Sequence, residues 1–246
     1  MLNGLAAETH HEGQRAGGAL RGQRRARPRS QDQVYRRPEQ LRYKLGQAFF
    51  ESNKLEPAKK EFDKALSLNK RLFKAHWYNG RILEEQGLLK EASNSYTEAA
   101  RLNPGFGKPF IDLGKLYYEW DFLQEAVSVL SQGAQYARDS EDLTNIYYYL
   151  GMAYDGLKQH DKAAEAYLNA IGARKENVEA RLQAGMAFAN KGDNEQAKKY
   201  LSEFVKMGGG NNAFAIQAAN DRLAKIASET LPQKLPEAPP PAPTPQ

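Results

Sequence analysis

Four histidines stand in the chain, at His10, His11, His76 and His160. No two of them lie at ligand spacing on one helix, and the adjacent His10 and His11 point in different directions. There is no cysteine. A protein-built metal site needs three or four convergent ligands, so no metal and no cofactor is expected. Thiolate nucleophiles, cysteine zinc sites and disulfides are excluded outright. Gly208-Gly209-Gly210 lacks the lysine and the following Ser or Thr that a phosphate-cradling loop requires. Glu84-Glu85 reads more simply as a solvated helix face than as a general acid and base. His160 sits beside Asp161 in a polar turn, with no set of nucleophile, base and orienting group around it. The chain is therefore expected not to be an enzyme, and binding is the chemistry that remains.

Charge offers the first binding site to weigh. Five arginines fall between Arg21 and Arg29. Such a cluster holds phosphates by charge, with steep salt dependence and little sequence preference. It could equally rest on anionic lipid or serve as a nuclear address. The stretch has no aromatics to stack on bases and no amphipathic pattern for lipid, so an ordinary solvated tail is the simpler reading and nucleic acid is not the expected partner. The net charge of +5 arises wholly there: residues 1–38 hold eight arginines and three acids, and the other 27 basic and 27 acidic residues balance.

All 25 aromatics lie between Tyr35 and Phe214. Residues 1–38 are an Arg-rich tail and residues 230–246, with seven of the twelve prolines, a proline-rich one. Both are expected to be disordered, the second favouring extended polyproline II. No apolar run is long enough to cross a membrane as a helix, and the amino terminus carries no apolar leader core. A cytoplasmic location is expected, with the periplasm as the alternative if the true start lies elsewhere.

Between the tails, Gly46, Gly80, Gly114, Gly151 and Gly185 recur at steps of 34, 34, 37 and 34 residues. Twelve positions after each stands an alanine: Ala58, Ala92, Ala126, Ala163 and Ala197. Large apolar residues follow each glycine at three positions (Phe49, Leu83, Tyr117, Tyr154, Phe188) and at sixteen (Phe62, Tyr96, Leu130, Tyr167, Leu201). Two apolar-periodic stretches per unit, split by a polar turn at Asn53, Gly87, Asp121, Lys158 or Gly192, predict a helical hairpin. The small residues mark where the two helices cross closely. A single hairpin cannot bury its second face, so neighbours must stack.

This pattern resembles the tetratricopeptide repeat family. The resemblance covers residues 39–211 in five repeats and implies an all-α, right-handed α-solenoid. The family's early tryptophan is replaced by Arg42, His76, Phe110, Tyr147 and Arg181, and its late proline survives only as Pro104. Three extra residues near Asp139–Asp142 are expected to lengthen the turn between the third and fourth repeats. Residues 212–229 are expected to form a carboxy-terminal capping helix with an apolar stripe of Phe214, Ile216, Ala219, Leu223, Ile226 and Ala227.

The resemblance further implies a protein partner, held where the first helices of the repeats line a concave groove. By register, the partner-binding positions are Tyr43, Trp77, Ile111 and Tyr148, with Arg81, Lys115 and Met152 four residues further and Tyr118 one turn later. Aromatics and arginine anchor interfaces, so the ligand expected is an extended or helical peptide with apolar anchors and an acidic residue facing Arg81 and Lys115. Packing between repeats is the competing role for each aromatic. The clamp that some members use for chaperone tails is not expected: of its five positions, filled here by Tyr43, Gln47, Tyr78, Lys108 and Asp112, one agrees. The role implied is a scaffold or adaptor that helps to assemble a complex. An envelope assembly factor for a secretion or pilus system and a nucleic-acid-associated adaptor are the alternatives.

Overall fold

The computed structural model describes residues 37–230, and among these no strand occurs. Ten helices form five hairpins: α1 Pro38–Glu51 with α2 Leu55–Leu68, α3 Phe73–Glu85 with α4 Leu89–Leu102, α5 Lys108–Glu119 with α6 Leu123–Tyr136, α7 Ser140–Gly156 with α8 His160–Ala173, and α9 Val178–Asn190 with α10 Asn194–Lys206. Helix α11, Ala213–Thr230, closes the array. The two tails lie outside the described residues, apart from Arg37, Thr230 and Pro38, with which α1 begins.

The turn within each hairpin has one geometry. Asn53, Gly87, Asp121, Lys158 and Gly192 all have positive φ, between 55° and 88°. The following amide donates back to the carbonyl of the residue three after the repeat glycine: Lys54 to Phe49, Leu88 to Leu83, Phe122 to Tyr117, Gln159 to Tyr154 and Asp193 to Phe188, all at 2.8–2.9 Å. This is the six-to-one bond that satisfies the orphan carbonyls at a helix end, and it requires one left-handed residue. Asn, Asp and Gly tolerate that conformation; Lys158 adopts it without the short polar side chain that eases it.

The repeat glycine faces the large residue sixteen positions on. A methyl at Gly46 would stand 2.8 Å from the Phe62 ring, at Gly80 2.6 Å from Tyr96, at Gly151 2.5 Å from Tyr167 and at Gly185 2.7 Å from Leu201, and at Gly114 it would overlap Leu130. The five alanines are fully buried. The crossing is therefore built as a large side chain pressed flat on a bare backbone, with alanine beside it, and any added carbon would force the helices apart.

Two expectations are corrected. The three extra residues before the fourth repeat do not lengthen a turn. They add a turn of helix: α7 has 17 residues where α1, α3, α5 and α9 have 12 to 14. Asp139 caps it by accepting from the Glu141 and Asp142 amides, which satisfies donors that have no partner in the helix. The added turn places the buried Asp142 where its carboxylate accepts from the Gly107 amide at 3.1 Å, tying α7 back to the start of α5.

The second correction concerns α11. Ala219 and Ile226 are buried and Ile216 and Leu223 pack against the same cluster, but Phe214 is 85% exposed and Ala227 is exposed too. At 3.6 residues per turn, Phe214 falls on the side of Gln217 and Asp221, away from Ile216. The chain reaches α11 through Gly208, Gly209, Gly210 and Asn211, four consecutive residues at positive φ. Gly209 is buried there, and a side chain on it would run into Ile216.

Candidate functional site

On α3, α5, α7 and α9 one side faces the even-numbered partner through the glycine and a second faces the preceding hairpin; α1 shares the first of these. The positions three before, one after and four after the glycine occupy a third side, and together they make a strip along the array.

In the first two repeats the strip is aromatic and tightly joined. Tyr78 stacks on Phe62 with ring centroids 5.0 Å apart and meets Phe50 at 5.1 Å, Tyr43 at 6.1 Å and Trp77 at 4.7 Å. Burial, with Tyr78 and Glu51 nearby, pushes the Tyr43 hydroxyl up to about 12. Trp77 is 8% exposed. Its indole N–H donates to the Asp112 carboxylate on α5 at 2.5 Å, and its ring meets Phe106 at 5.5 Å. The register placed Trp77 on the groove surface. The structure places it between hairpins, where it joins α3 to α5.

The exposed chemistry lies on top of that indole. The Arg81 guanidinium sits 5.3 Å from the Trp77 ring and 5.0 Å from the Phe50 ring, and the Lys108 ammonium 5.5 Å from the Trp77 ring. Neither cation forms an ion pair among the described residues. Cations over an aromatic face gain about 0.5–2 kcal/mol according to desolvation, and they remain free to take a carboxylate. Burial pushes the Asp112 carboxyl above its ordinary range, against the lowering by the Trp77 hydrogen bond and the Arg81 charge.

Further along, Ile111 and Tyr118 are half-buried and pack against the Ile146–Leu150 cluster. Lys115 pairs with Glu119 at 3.5 Å in the open, a kind of pair that contributes little. It stands one repeat beyond Arg81. Tyr148 contacts Tyr149 at 5.7 Å and Tyr167 at 6.0 Å, and Met152 packs against the core shared by α8 to α10. The structure thus brings Trp77 and Arg81 into one cluster, Ile111, Lys115 and Tyr118 into a second, and Tyr148 and Met152 into a third. Tyr43 joins the first through Tyr78.

Two acids in the strip are already engaged. Glu84 accepts from the buried Tyr96 hydroxyl at 2.5 Å, and Asp155 accepts from the buried Tyr167 hydroxyl at 3.1 Å while holding the His160 ring at 2.9 Å. In both repeats the acid stands four after the glycine and the tyrosine sixteen after. Where position sixteen lacks a hydroxyl (Phe62, Leu130, Leu201), position four is Phe50, Tyr118 or Ala189. The pairing follows from the cost of burying an unpartnered hydroxyl. His160 is thus part of a turn-fastening set. Among the described residues there is no group of three or more His, Asp or Glu that could hold a metal ion, and no helix long and apolar enough to cross a membrane.

Register reasoning missed the role of Asp112. Its signal was in the sequence: Asp112 interrupts an apolar stretch of α5 one repeat beyond Trp77, and a buried acid implies a buried donor. Lys108, expected with Lys74 to flank the strip, stands over the Trp77 ring.

A tetratricopeptide repeat family model matches residues 43–105 and 148–212, which is more than half of the 246 residues. The chain belongs to the tetratricopeptide repeat family, whose members bind protein partners. The stretch between the two matches holds the third hairpin and the extended start of α7. Among solved structures, the chain is similar to YrrB, described as a protein of this family with an unusual peptide-binding site (TM-score 0.60, 20% identity, covering 76% of this chain and 95% of that one). It is also similar to PilF of Pseudomonas aeruginosa (TM-score 0.62, 19% identity, 78% and 90%) and to MamA of Desulfovibrio magneticus RS-1 (TM-score 0.58, 19% identity, 72% and 98%). At such identities these likenesses show the shared fold. No curated protein matches the chain.

Proposed function

We propose that the protein is a non-enzymatic scaffold that captures a peptide segment of a partner along this strip and so helps to assemble a complex. The observation that carries the reading is the pair of cations, Arg81 and Lys108, that form no ion pair among the described residues and sit over Trp77 and Phe50. A peptide carboxylate above the indole would meet both charges. Apolar anchors beside it would reach Ile111, Tyr118, Tyr148 and Met152, which keep part of their surface open. Membership of a family that binds proteins supports the general role.

The test is selection from a displayed peptide library with the full chain. Enriched sequences are expected to carry an acidic residue beside apolar ones. The Arg81→Glu/Lys108→Glu variant should lose them by roughly 10- to 100-fold in affinity, because a charge-assisted hydrogen bond contributes about 1.5–3 kcal/mol. Enrichment without acids, or equal binding by the variant, would defeat the proposal.

A further inference from the structure

The first hairpin shows an apolar face that every later hairpin buries. In α3 the side turned to the preceding hairpin carries Ala75, Asn79 and Ile82, at 0%, 7% and 0% exposure, and the matching trio in α5, α7 and α9 is buried likewise. In α1 the same three register positions hold Leu41, Leu45 and Ala48. Leu41 is 58% and Leu45 39% exposed, and Ala48 is exposed too. Their spacing puts them on one face. The sequence has therefore kept an inter-repeat surface on the first hairpin of the described residues.

The chain upstream does not read as that missing repeat. Carried back one period, the register puts Arg24 where the alanine stands and Pro28 where the large helix-interior residue stands. At the opposite end of the array α11 turns Gln217, Asp221 and Lys225 outward beside the exposed Phe214, and stacking α1 on it would bury those polar groups. The α1 face instead complements itself.

We infer that a second copy of the chain covers this face, the two α1 helices packing antiparallel about a two-fold axis. With the axis between Lys44 and Leu45, Leu41 of each copy lies over Ala48 of the other, large against small. Arg37, just before the helix, comes beside Glu51, the last residue of the other copy's helix. Arg37 and Glu51 are both exposed and form no ion pair within their own chain among the described residues. An isologous contact of this kind closes at two copies and presents two grooves, so a partner with two binding segments would be held by avidity.

Sedimentation velocity of the full chain over a micromolar to high-micromolar range tests this. A monomer–dimer equilibrium is expected, with Leu45→Glu weakening it at least tenfold while the circular dichroism is unchanged, because Leu45 is exposed in the single chain. Arg37→Glu and Glu51→Arg should each weaken the dimer, and the two together should restore it. A chain monomeric throughout that range, a dimer indifferent to Leu45→Glu, or a chain that dimerises only once residues 1–36 are removed would overturn the inference. The last result would assign the face to the tail.

Discussion

The hydroxyl of Tyr96 and the carboxylate of Glu84 form a pair whose worth can be measured with a control the chain already contains. Tyr96 is fully buried and its hydroxyl donates to Glu84, which is only half-buried. Glu84→Ala strands a buried donor, which costs about 1–3 kcal/mol. Tyr96→Phe leaves a carboxylate that water can still reach, so its cost should stay below about 1 kcal/mol. The double variant joins two residues that occur separately at these positions, Phe62 at position sixteen in the first repeat and Ala189 at position four in the fifth, and it strands no hydroxyl. It should therefore be more stable than Glu84→Ala alone. The coupling energy expected from the cycle is about 1–2 kcal/mol, read from urea unfolding midpoints at constant slope. Single costs that add to within about 0.5 kcal/mol would refute the claim that the acid is there for the tyrosine.

Other predictions follow from the same structure. Lys158→Gly should raise stability by about 1 kcal/mol, since a left-handed lysine is strained, and Gly192→Ala should lower it by a similar amount; thermal melts of the two variants decide. Trp77→Ala should cost about 3–5 kcal/mol and lower the denaturation midpoint sharply, whereas Arg81→Glu/Lys108→Glu should leave the melt nearly unchanged. Burial raises the Tyr96 and Tyr167 hydroxyls above the usual phenol range. Their contribution is therefore complete below about pH 10 and is lost as pH rises, because the unfolded chain gives up those protons first. Tyr96→Phe/Tyr167→Phe should flatten that alkaline loss in unfolding measured from neutral to strongly alkaline pH.

What the sequence disclosed and what it hid divide along a physical line. Spacing is a local property, and it disclosed the repeats, the positions of the five turn residues and the close crossing of the two helices, which all arise within one hairpin. Contacts between hairpins depend on how units stack, and there register was insufficient. Trp77 occupies the same register position as the half-buried Tyr43 and Tyr148, yet Asp112 and Phe106 from the next repeat close over it. The three added residues at Asp139–Asp142 are polar and look like a turn. They become helix because Asp139 caps them and Asp142 finds the Gly107 amide, a partner 35 residues away. Phe214 was counted into a stripe by its type, although its angle on α11 sets it with the polar residues.

The chain has two tryptophans, Trp77 in the strip and Trp120 at the turn after α5, the latter 46% exposed. Their indole N–H signals in a nitrogen-edited NMR spectrum report the two places separately. Titration of the full chain with a selected acidic, apolar peptide is expected to shift the Trp77 indole signal, through its ring cations and its bond to Asp112, and to leave Trp120 in place. A saturating peptide that moves Trp120 and leaves Trp77 unchanged would contradict the assignment of the groove.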